Sequence, residues 1–268
     1  MTLGTIGCGK MGSTLIAGAI RAGLVAPEQV LGCDPLPAAR EAFTQLTAAG
    51  TTASPAELAD ACEVILLCTT PAQAAAALRD AAHAAAGQPR LVISIAAGIT
   101  LAALEAASPE NFRVIRAMPN TPALIGKGAA AYCIGTRATR ADAVTAGLLL
   151  GAVGLAMEMP ERCMNMVTGL SGSGPAYVYV VIEALADGGV LAGLTRAEAL
   201  KLAAQTVLGA AAMVLETNEH PAVLKDKVTS PGGTTIAGVA ELERLGLRHS
   251  LIAAVSAATR RAEELGNA

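Results

Sequence analysis

The sequence predicts an α/β fold, in which an N-terminal doubly wound sheet precedes an all-helical C-terminal part. Two observations support this prediction. Over about the first 160 residues, short apolar runs alternate with helical stretches, as in right-handed βαβ units on a parallel sheet. After about Pro160 no run has the pattern of a strand, and long apolar helical stretches follow.

The expected strands are short apolar runs, and the expected helices lie between them. The strands are Leu3–Ile6, Val30–Cys33, Val64–Cys68, Leu91–Ile95 and Val114–Ala117. The helices are Met11–Ala22, Pro37–Ala49, Pro71–Ala86 and Thr100–Ala107. A further helix is predicted to start at Ser54–Glu57, where Ser is the cap, Pro occupies the first turn and Glu completes a capping box.

In the C-terminal part, long helices are expected over Ala176–Leu191 and Arg196–Leu215, and a last one over Ser250–Leu265. The second of these begins with the capping-box sequence Thr195–Glu198. The glycine-rich stretch Gly169–Pro175 is expected to mark the domain boundary. We therefore predict two domains, one over residues 1–160 and one over residues 161–268.

Composition limits the classes of function. The 268 residues are 53% hydrophobic but only 2% aromatic, so small aliphatic side chains must form the core. The net charge of −3 and the lack of a basic stretch argue against a nucleic-acid partner. The apolar runs Ala143–Met157 and Ala210–Leu215 are shorter than a membrane span, so we expect buried helices and no membrane insertion.

The start of the chain and its cysteines predict a cytoplasmic protein. The first residues, MTLGTIGCGK, carry no charged leader ahead of an apolar segment. The six cysteines are scattered without a CxxC pair, which predicts small core residues in a reducing compartment and no metal site.

The stretch Gly7–Gly12 matches G-x-G-x-x-G directly after the first strand and at the start of the first helix. In this context the pattern predicts a Rossmann-like dinucleotide-binding domain, in which the helix start holds a pyrophosphate. The alternative is that the glycines only turn the chain. The predicted cofactor-binding residues here are Gly7, Cys8, Gly9, Lys10, Met11 and Gly12.

Asp34 follows the second strand, where a carboxylate can accept hydrogen bonds from ribose hydroxyls and favours NADH. Alternatively, Pro35 turns the loop so that Cys33 faces the ribose and Arg40 meets the phosphate of NADPH, or Asp34 only caps a helix. The sequence therefore predicts NADPH or NADH as the cofactor.

The ends of the other strands face the cofactor crevice in a doubly wound sheet. Small residues and prolines there suit a flat ring lying against the backbone. The residues predicted to contact the cofactor are Thr69, Thr70, Pro71, Ala96, Ala97 and Asn120. For Asn120, a purely structural role in the turn between two prolines is an equal alternative.

The side chains that usually protonate a reduced carbonyl are scarce. His83, His220 and His249 have the sequence context of surface or capping residues, and Lys225 and Lys227 that of a solvated face, although Lys227 could attract an anionic substrate. A protonated imine already carries its proton, so its reduction creates no oxyanion. The pattern therefore favours an imine over a ketone as the substrate.

The stretch Val228–Leu242 interrupts helical sequence with VTSPGGTT, which contains the groups that an imino acid needs. Backbone N–H groups and a helix start can hold a carboxylate, and hydroxyls can orient a ring nitrogen. The alternative is an N-capped helix after a Pro-Gly turn. The predicted substrate-binding residues are Ser230, Gly232, Gly233, Thr234 and Thr235, with Thr235 as the catalytic residue.

At these residues the sequence resembles the pyrroline-5-carboxylate reductase family over essentially the whole chain. The most specific stretches are Leu224–Glu241, Gly169–Tyr177 and Arg116–Pro122. The resemblance implies NAD(P)H-dependent reduction of the cyclic imine 1-pyrroline-5-carboxylate to L-proline, the last step of proline biosynthesis, usually with NADPH. It also implies that Ser230 and Gly232–Thr235 bind the carboxylate and that Thr235 bonds the ring nitrogen.

The resemblance further implies a substrate-binding and dimerisation role for the helical domain. Such enzymes form homodimers through their C-terminal helices, often assembled into decamers, with the site between subunits. One position departs from the family, because Thr70-Pro71 stands where Lys-Pro is common. This departure leaves the choice of cofactor open.

Three alternatives are kept. β-Hydroxyacid dehydrogenases share the two-domain plan, but Val178 occupies the position of their catalytic lysine after Gly169, Gly172 and Gly174. Another imine reductase, acting for example on the six-membered homologue, is a second alternative. An inactive dinucleotide-binding sensor, or a lipid-binding protein, is the third.

Overall fold

The structure is a computed structural model that describes residues 1–82 and 87–266. It divides into two units. The first comprises Met1–Ser173 and the C-terminal stretch from Ser256, and the second comprises Gly174–Val255. The division at Ser173 falls within the predicted boundary stretch Gly169–Pro175, whereas the domain boundary at residue 160 stays a prediction.

One eight-stranded sheet forms the centre of the first unit. Its strands are β1 (Leu3–Ile6), β2 (Val30–Cys33), β3 (Gly50–Thr52), β4 (Val64–Leu67), β5 (Arg90–Ser94), β6 (Phe112–Met118), β7 (Gly128–Ile134) and β8 (Gly154–Glu158). The strand order is β3-β2-β1-β4-β5-β6-β7-β8, parallel except where β7 pairs antiparallel with β6. The order reverses between β1 and β4, and ligands bind at the carboxyl ends of strands at such a switch point.

Helices cover both faces of this sheet. They are α1 (Lys10–Arg21), α2 (Pro37–Thr47), α3 (Pro55–Ala61), α4 (Pro71–Ala82), α5 (Leu101–Ala106), α6 (Arg140–Gly151) and α7 (Met164–Val167). Successive side chains of a strand point to opposite faces. Accordingly, Val64 and Leu66 lie in one buried cluster with α1 and α6, and Ile65 and Leu67 lie in a second with α3, α4 and α5.

The predicted α/β fold is confirmed, and the five predicted strands are present with ends shifted by at most two residues. Three further strands, β3, β7 and β8, were not predicted. The apolar run Ala143–Met157, expected to be a buried helix, is wrong as a single element. It contains most of α6 and most of β8, because the helix ends at Gly151 and Gly154, with φ +148°, starts the strand.

The two predicted capping boxes have different outcomes. At α3, Ser54 Oγ accepts the Glu57 N–H at 3.3 Å, but the Glu57 carboxylate bonds the Thr52 hydroxyl, so the reciprocal half of the box is absent. Before Arg196, Thr195 and Glu198 form the complete box. The last four residues of the predicted helix Pro71–Ala86 lie outside the described residues.

The second unit is helical. Its helices are α8 (Gly174–Leu191), α9 (Arg196–Thr217), α10 (Pro221–Lys227) and α11 (Thr234–Arg244), and α12 (Leu247–Gly266) begins here and ends in the first unit. A π-helical turn over Thr168–Gly172 precedes α8. Within the described ranges, no strand follows Glu158, as the sequence predicts.

The core of the second unit is small. Its buried cluster consists of Ala186, Ala199 and Ala203, while Leu191 and Leu215 are 91% and 71% exposed. Glu161–Leu191 and Arg196–Thr217 are long and apolar enough to cross a membrane by length and composition, with only 6% and 11% of the apolar windows buried. The expectation that every apolar run is shorter than a span therefore does not hold for these two. Exposed apolar area of this extent indicates a surface that another molecule covers.

Candidate active site

The glycine turn between β1 and α1 is tightly packed on one side and open on the other. Gly7 adopts φ +106°, and its N–H donates to Cys33 O at 2.8 Å. A Cβ atom at Gly12 would lie 2.1 Å from Gly7 O, whereas one at Gly9 would have no neighbour within 4 Å. Gly9 also begins α1 without a side-chain cap, so the first N–H groups of the helix are available to an anion.

A cavity of about 480 Å³ lies beside this turn, at the carboxyl ends of β2 and β4. Its lining comprises Ile6, Gly7, Gly9, Cys33, Asp34, Pro35, Leu36, Ala53, Pro55, Cys68, Thr69, Thr70, Gln73, Ala76, Ala77 and Asp80. Across the described chain, the Thr69 hydroxyl is the buried side-chain oxygen that has no hydrogen-bond partner. Such an atom is costly to bury unless a ligand satisfies it. The cavity and the turn therefore fit a dinucleotide.

Asp34 lies at the end of β2 and faces the glycine turn. Its Oδ2 accepts the Cys8 N–H at 3.0 Å, and its Oδ1 accepts the Leu36 N–H at 2.9 Å. The guanidinium of Arg40 donates to the carbonyls of Asp34 and Pro35, at 2.7 and 3.2 Å. Asp34 is therefore fixed locally, and its bond to Leu36 belongs to the turn before α2, because Leu36 itself is the N-cap of that helix.

The cysteines near this site are ordinary buried thiols. Burial, reinforced by the Asp34 carboxylate, raises the pKa of Cys8 to about 12 and that of Cys33 to about 11. Burial also raises the pKa of Cys68 to about 12. These thiols are protonated at neutral pH and are therefore poor nucleophiles.

The other predicted cofactor residues lie where expected, after β4, β5 and β6. Thr70 directly precedes α4 and its hydroxyl donates to Gln73 Oε1 at 2.8 Å, while Ala96 is buried and Ala97 is exposed. Asn120 is buried; its Oδ1 accepts the Ala129 N–H at 2.9 Å and its Nδ2 donates to Ser171 O at 2.9 Å. These two bonds use half of the four hydrogen-bonding positions of the amide, and contact of Asn120 with the cofactor stays a prediction.

In the second unit, the predicted substrate loop is a turn followed by the exposed start of α11. The Gly233 N–H donates to Ser230 O at 3.1 Å, and Pro231 and Gly232, which has φ +68°, occupy the central positions as in a type II turn. The Gly233 N–H, expected to be free, is therefore engaged. The free backbone donors are those of the first turn of α11, which has no side-chain cap.

Three hydroxyls lie beside these donors. In the described part of the chain, no side-chain hydrogen bond engages Ser230, Thr234 or Thr235. Thr235 is half-buried and the other two are exposed. A site with backbone donors and unpaired hydroxyls at a helix start suits a small carboxylate with a polar ring atom.

The candidate proton donors near this loop already have partners. Lys227 Nζ contacts both carboxylate oxygens of Glu219, at 2.6 and 2.7 Å. Lys225 Nζ bonds Asp226 at 2.7 Å, and His220 Nδ1 accepts the Ala222 N–H as the cap of α10. His83 lies outside the described residues.

Comparisons with known proteins agree with the family resemblance found in the sequence. The description "pyrroline-5-carboxylate reductase dimerisation" matches residues 161–265, and "NADP oxidoreductase coenzyme F420-dependent" matches residues 2–98. The pyrroline-5-carboxylate reductase of a Synechocystis species is 48% identical over 264 residues, which cover 98% of each chain. The chain belongs to the pyrroline-5-carboxylate reductase family. The resemblance stated from the sequence is thereby confirmed.

Two solved structures of pyrroline-5-carboxylate reductases agree. The one from Coxiella burnetii superposes with a TM-score of 0.93 at 33% identity and covers 98% of both chains. The one from Plasmodium falciparum, which has NADP bound, gives 0.87 at 31% identity and covers 99% of this chain and 98% of that one. As a member of this family, the chain is an NAD(P)H-dependent oxidoreductase with a dimerisation domain.

Sequence reasoning missed one wall of the cavity. Gln73, Ala76, Ala77 and Asp80 of α4 all line it. Their spacing of i, i+3, i+4 and i+7 places them on one helix face, and that periodicity was available in the sequence. An alanine-rich helix with this spacing also has the pattern of a helix that packs on a sheet, so the sequence alone does not mark this face as part of a site.

Proposed function

We propose that this chain reduces 1-pyrroline-5-carboxylate to L-proline with NAD(P)H, as its relatives are named to do. The observation that supports this most directly is the start of α11, where an uncapped helix end lies beside the unpaired hydroxyls of Ser230, Thr234 and Thr235. The glycine turn of the first unit and its cavity provide for the cofactor.

The loop binds the substrate through its carboxylate. The first-turn N–H groups of α11 and the positive end of its dipole attract the anion, and the hydroxyls of Ser230 and Thr234 add hydrogen bonds. Gly232 supplies the positive φ that brings the backbone into this shape, at +68°.

The Thr235 hydroxyl orients the ring nitrogen of the imine. When bound, the reduced nicotinamide supplies the hydride that the imine carbon accepts. The nitrogen keeps the proton that it already carries, so the reaction leaves a neutral amine and no alkoxide. Because no alkoxide forms, the site needs no side-chain acid. The lysines near the loop, Lys227 and Lys225, are accordingly paired with Glu219 and Asp226.

The helices of the second unit provide the dimer contact in this proposal. Tyr179, Val180, Leu191 and Leu215 expose apolar surface that two copies of the chain can cover in each other. We propose a cytoplasmic homodimer, which assembles into a decamer as the resemblance implies, with no membrane or nucleic-acid partner. Light scattering on the purified protein without detergent tests this: a monomer, or a protein that stays in solution only with detergent, would contradict it.

The decisive experiment is the oxidation of the cofactor followed at 340 nm. The protein is mixed with NADH or NADPH and with pyrroline-5-carboxylate, its six-membered homologue, or a β-hydroxyacid's keto form. Loss of absorbance only with the cyclic imines is expected. Turnover of the keto acid would favour a dehydrogenase, against which the Val178 position already argues, and binding of cofactor without any turnover would indicate an inactive sensor.

Replacing Gly233 by alanine is expected to raise the KM for the imino acid by about tenfold while the Kd of the cofactor stays unchanged. The added Cβ atom would lie 2.2 Å from Ser230 Oγ, so the serine hydroxyl must leave its place beside the helix start. Steady-state kinetics and a cofactor titration measure the two quantities.

Gly238→Ala is the matched control, since a Cβ atom at that position of α11 has no neighbour within 4 Å. It is expected to leave the KM within about twofold of the wild type. Equal KM values for the two variants would place the carboxylate away from Ser230.

A further inference from the structure

The cofactor cavity is acidic. Asp34 and Asp80 line it, and the described lining contains no lysine or arginine. NADPH differs from NADH only in a phosphate on the 2′-oxygen of the adenosine ribose, which carries close to two negative charges at neutral pH. A cavity that binds this phosphate is expected to be lined by cations, whereas this cavity is lined by two carboxylates.

Asp34 is held in the position that recognises a ribose. The Cys8 and Leu36 N–H groups each fix one oxygen of its carboxylate, at 3.0 and 2.9 Å. A carboxylate has about four acceptor sites. Each oxygen therefore keeps one for a ribose hydroxyl, and the carboxylate cannot turn away from a phosphate without losing both bonds.

Arg40 lies beside Asp34, and its guanidinium is bonded to the backbone of the same turn. One of its terminal nitrogens donates to the carbonyls of Asp34 and Pro35, at 2.7 and 3.2 Å. This arrangement ties the guanidinium to the backbone of the turn, and the side chain does not line the cavity. At the end of β4 the exposed residue is Thr70, whose hydroxyl is bonded to Gln73. No cation is therefore supplied from that side in the described structure.

We propose that this site selects NADH over NADPH and that Asp34 is the residue that determines this specificity. The inference rests on the proposed function only in that the cofactor occupies this cavity. The structure of the Plasmodium falciparum relative, in comparison, has NADP bound.

The test is the binding of each cofactor to the full-length protein without substrate, followed by nicotinamide fluorescence or calorimetry. We expect the Kd for NADH to be at least about tenfold lower than that for NADPH. In Asp34→Asn the amide keeps an acceptor for one backbone N–H and loses the charge. This variant should bind NADPH about tenfold more tightly than the wild type does and NADH several-fold more weakly.

Two further variants test whether Asp34, and not Asp80 or Arg40, determines the cofactor specificity. Asp80→Asn removes the other carboxylate of the cavity and should change the ratio of the Kd values for NADPH and NADH by less than about threefold, because within the described residues no backbone donor fixes the Asp80 carboxylate. Arg40→Gln should not weaken NADPH binding more than NADH binding. A selective loss of NADPH binding in Arg40→Gln would show that Arg40 holds the phosphate and would overturn the inference.

The outcomes also separate this inference from the proposed reaction. Tighter binding of NADPH than of NADH by the wild type, with normal turnover of the imine, contradicts the inference alone. Selective NADH binding without turnover supports the inference and contradicts the proposed reaction. Failure to bind either cofactor contradicts both. Circular dichroism of each variant identifies a loss of binding that is caused by unfolding.

Discussion

Replacing Gly12 by alanine is expected to weaken NAD(P)H binding by at least about 100-fold, close to 3 kcal/mol. The new Cβ atom would lie 2.1 Å from Gly7 O, 2.9 Å from Thr5 Oγ1 and 3.2 Å from Cys68 Cβ. The closest of these is a backbone atom, so the helix must move away from the strand. That movement displaces the first turn of α1, whose N–H groups are the proposed donors to the pyrophosphate.

Two matched variants make this result specific. Gly151→Ala adds a Cβ atom in open space near the end of α6 and should leave the Kd unchanged. Gly9→Ala also adds its Cβ atom in open space, so the variant should fold normally. It should nevertheless weaken cofactor binding by about tenfold, because the added atom occupies space that the pyrophosphate needs. A Kd for Gly12→Ala that equals the wild type would place the cofactor away from this turn.

The strand β4 was predictable because it is continuously apolar. Val64–Leu67 is buried on both faces, and a buried parallel strand gives a continuous hydrophobic run. In contrast, β7 has the sequence GAAAYCI, in which glycine and alanine have low strand propensity. The strand forms through its antiparallel pairing with β6 and its parallel pairing with β8, which are tertiary contacts that no local pattern contains.

The glycine turn could be recognised from the sequence because its geometry depends on residue type. Only a residue without a Cβ atom fits at Gly12, and Gly7 has a positive φ. The spacing of the glycines in the sequence therefore follows from the geometry of the turn. The bonds of Asp34 to Cys8 and Leu36 could not be predicted in this way. They depend on how the end of β2 approaches α1, and many loops of the same composition would not make them.

In the substrate loop, too, one part of the geometry was predictable from the sequence and another part was not. The sequence indicated a Pro-Gly turn before a helix and hydroxyls beside the helix start. It did not indicate that the turn would use the Gly233 N–H for its own hydrogen bond to Ser230. In the proposed site the helix N–H groups therefore bind the carboxylate, because a turn and a ligand compete for the same donor.

Replacing Thr235 by alanine is expected to lower kcat by about 100-fold with little change in the Kd of the cofactor. Thr235 is half-buried at the first turn of α11, and the described chain gives its hydroxyl no side-chain hydrogen bond. A hydroxyl without a structural bond can be removed at little cost to folding, so the loss should appear in turnover and leave the melting temperature nearly unchanged.

Its neighbours provide the controls. Thr235→Ser retains the hydroxyl and should recover most of the lost kcat, whereas Thr234→Ala removes an exposed hydroxyl one residue away and should act mainly on KM, through the carboxylate. If Thr235→Ala and Thr234→Ala instead raise KM equally and leave kcat intact, both hydroxyls bind the carboxylate. The orientation of the ring nitrogen would then have to come from another group, and the role proposed for Thr235 would be wrong.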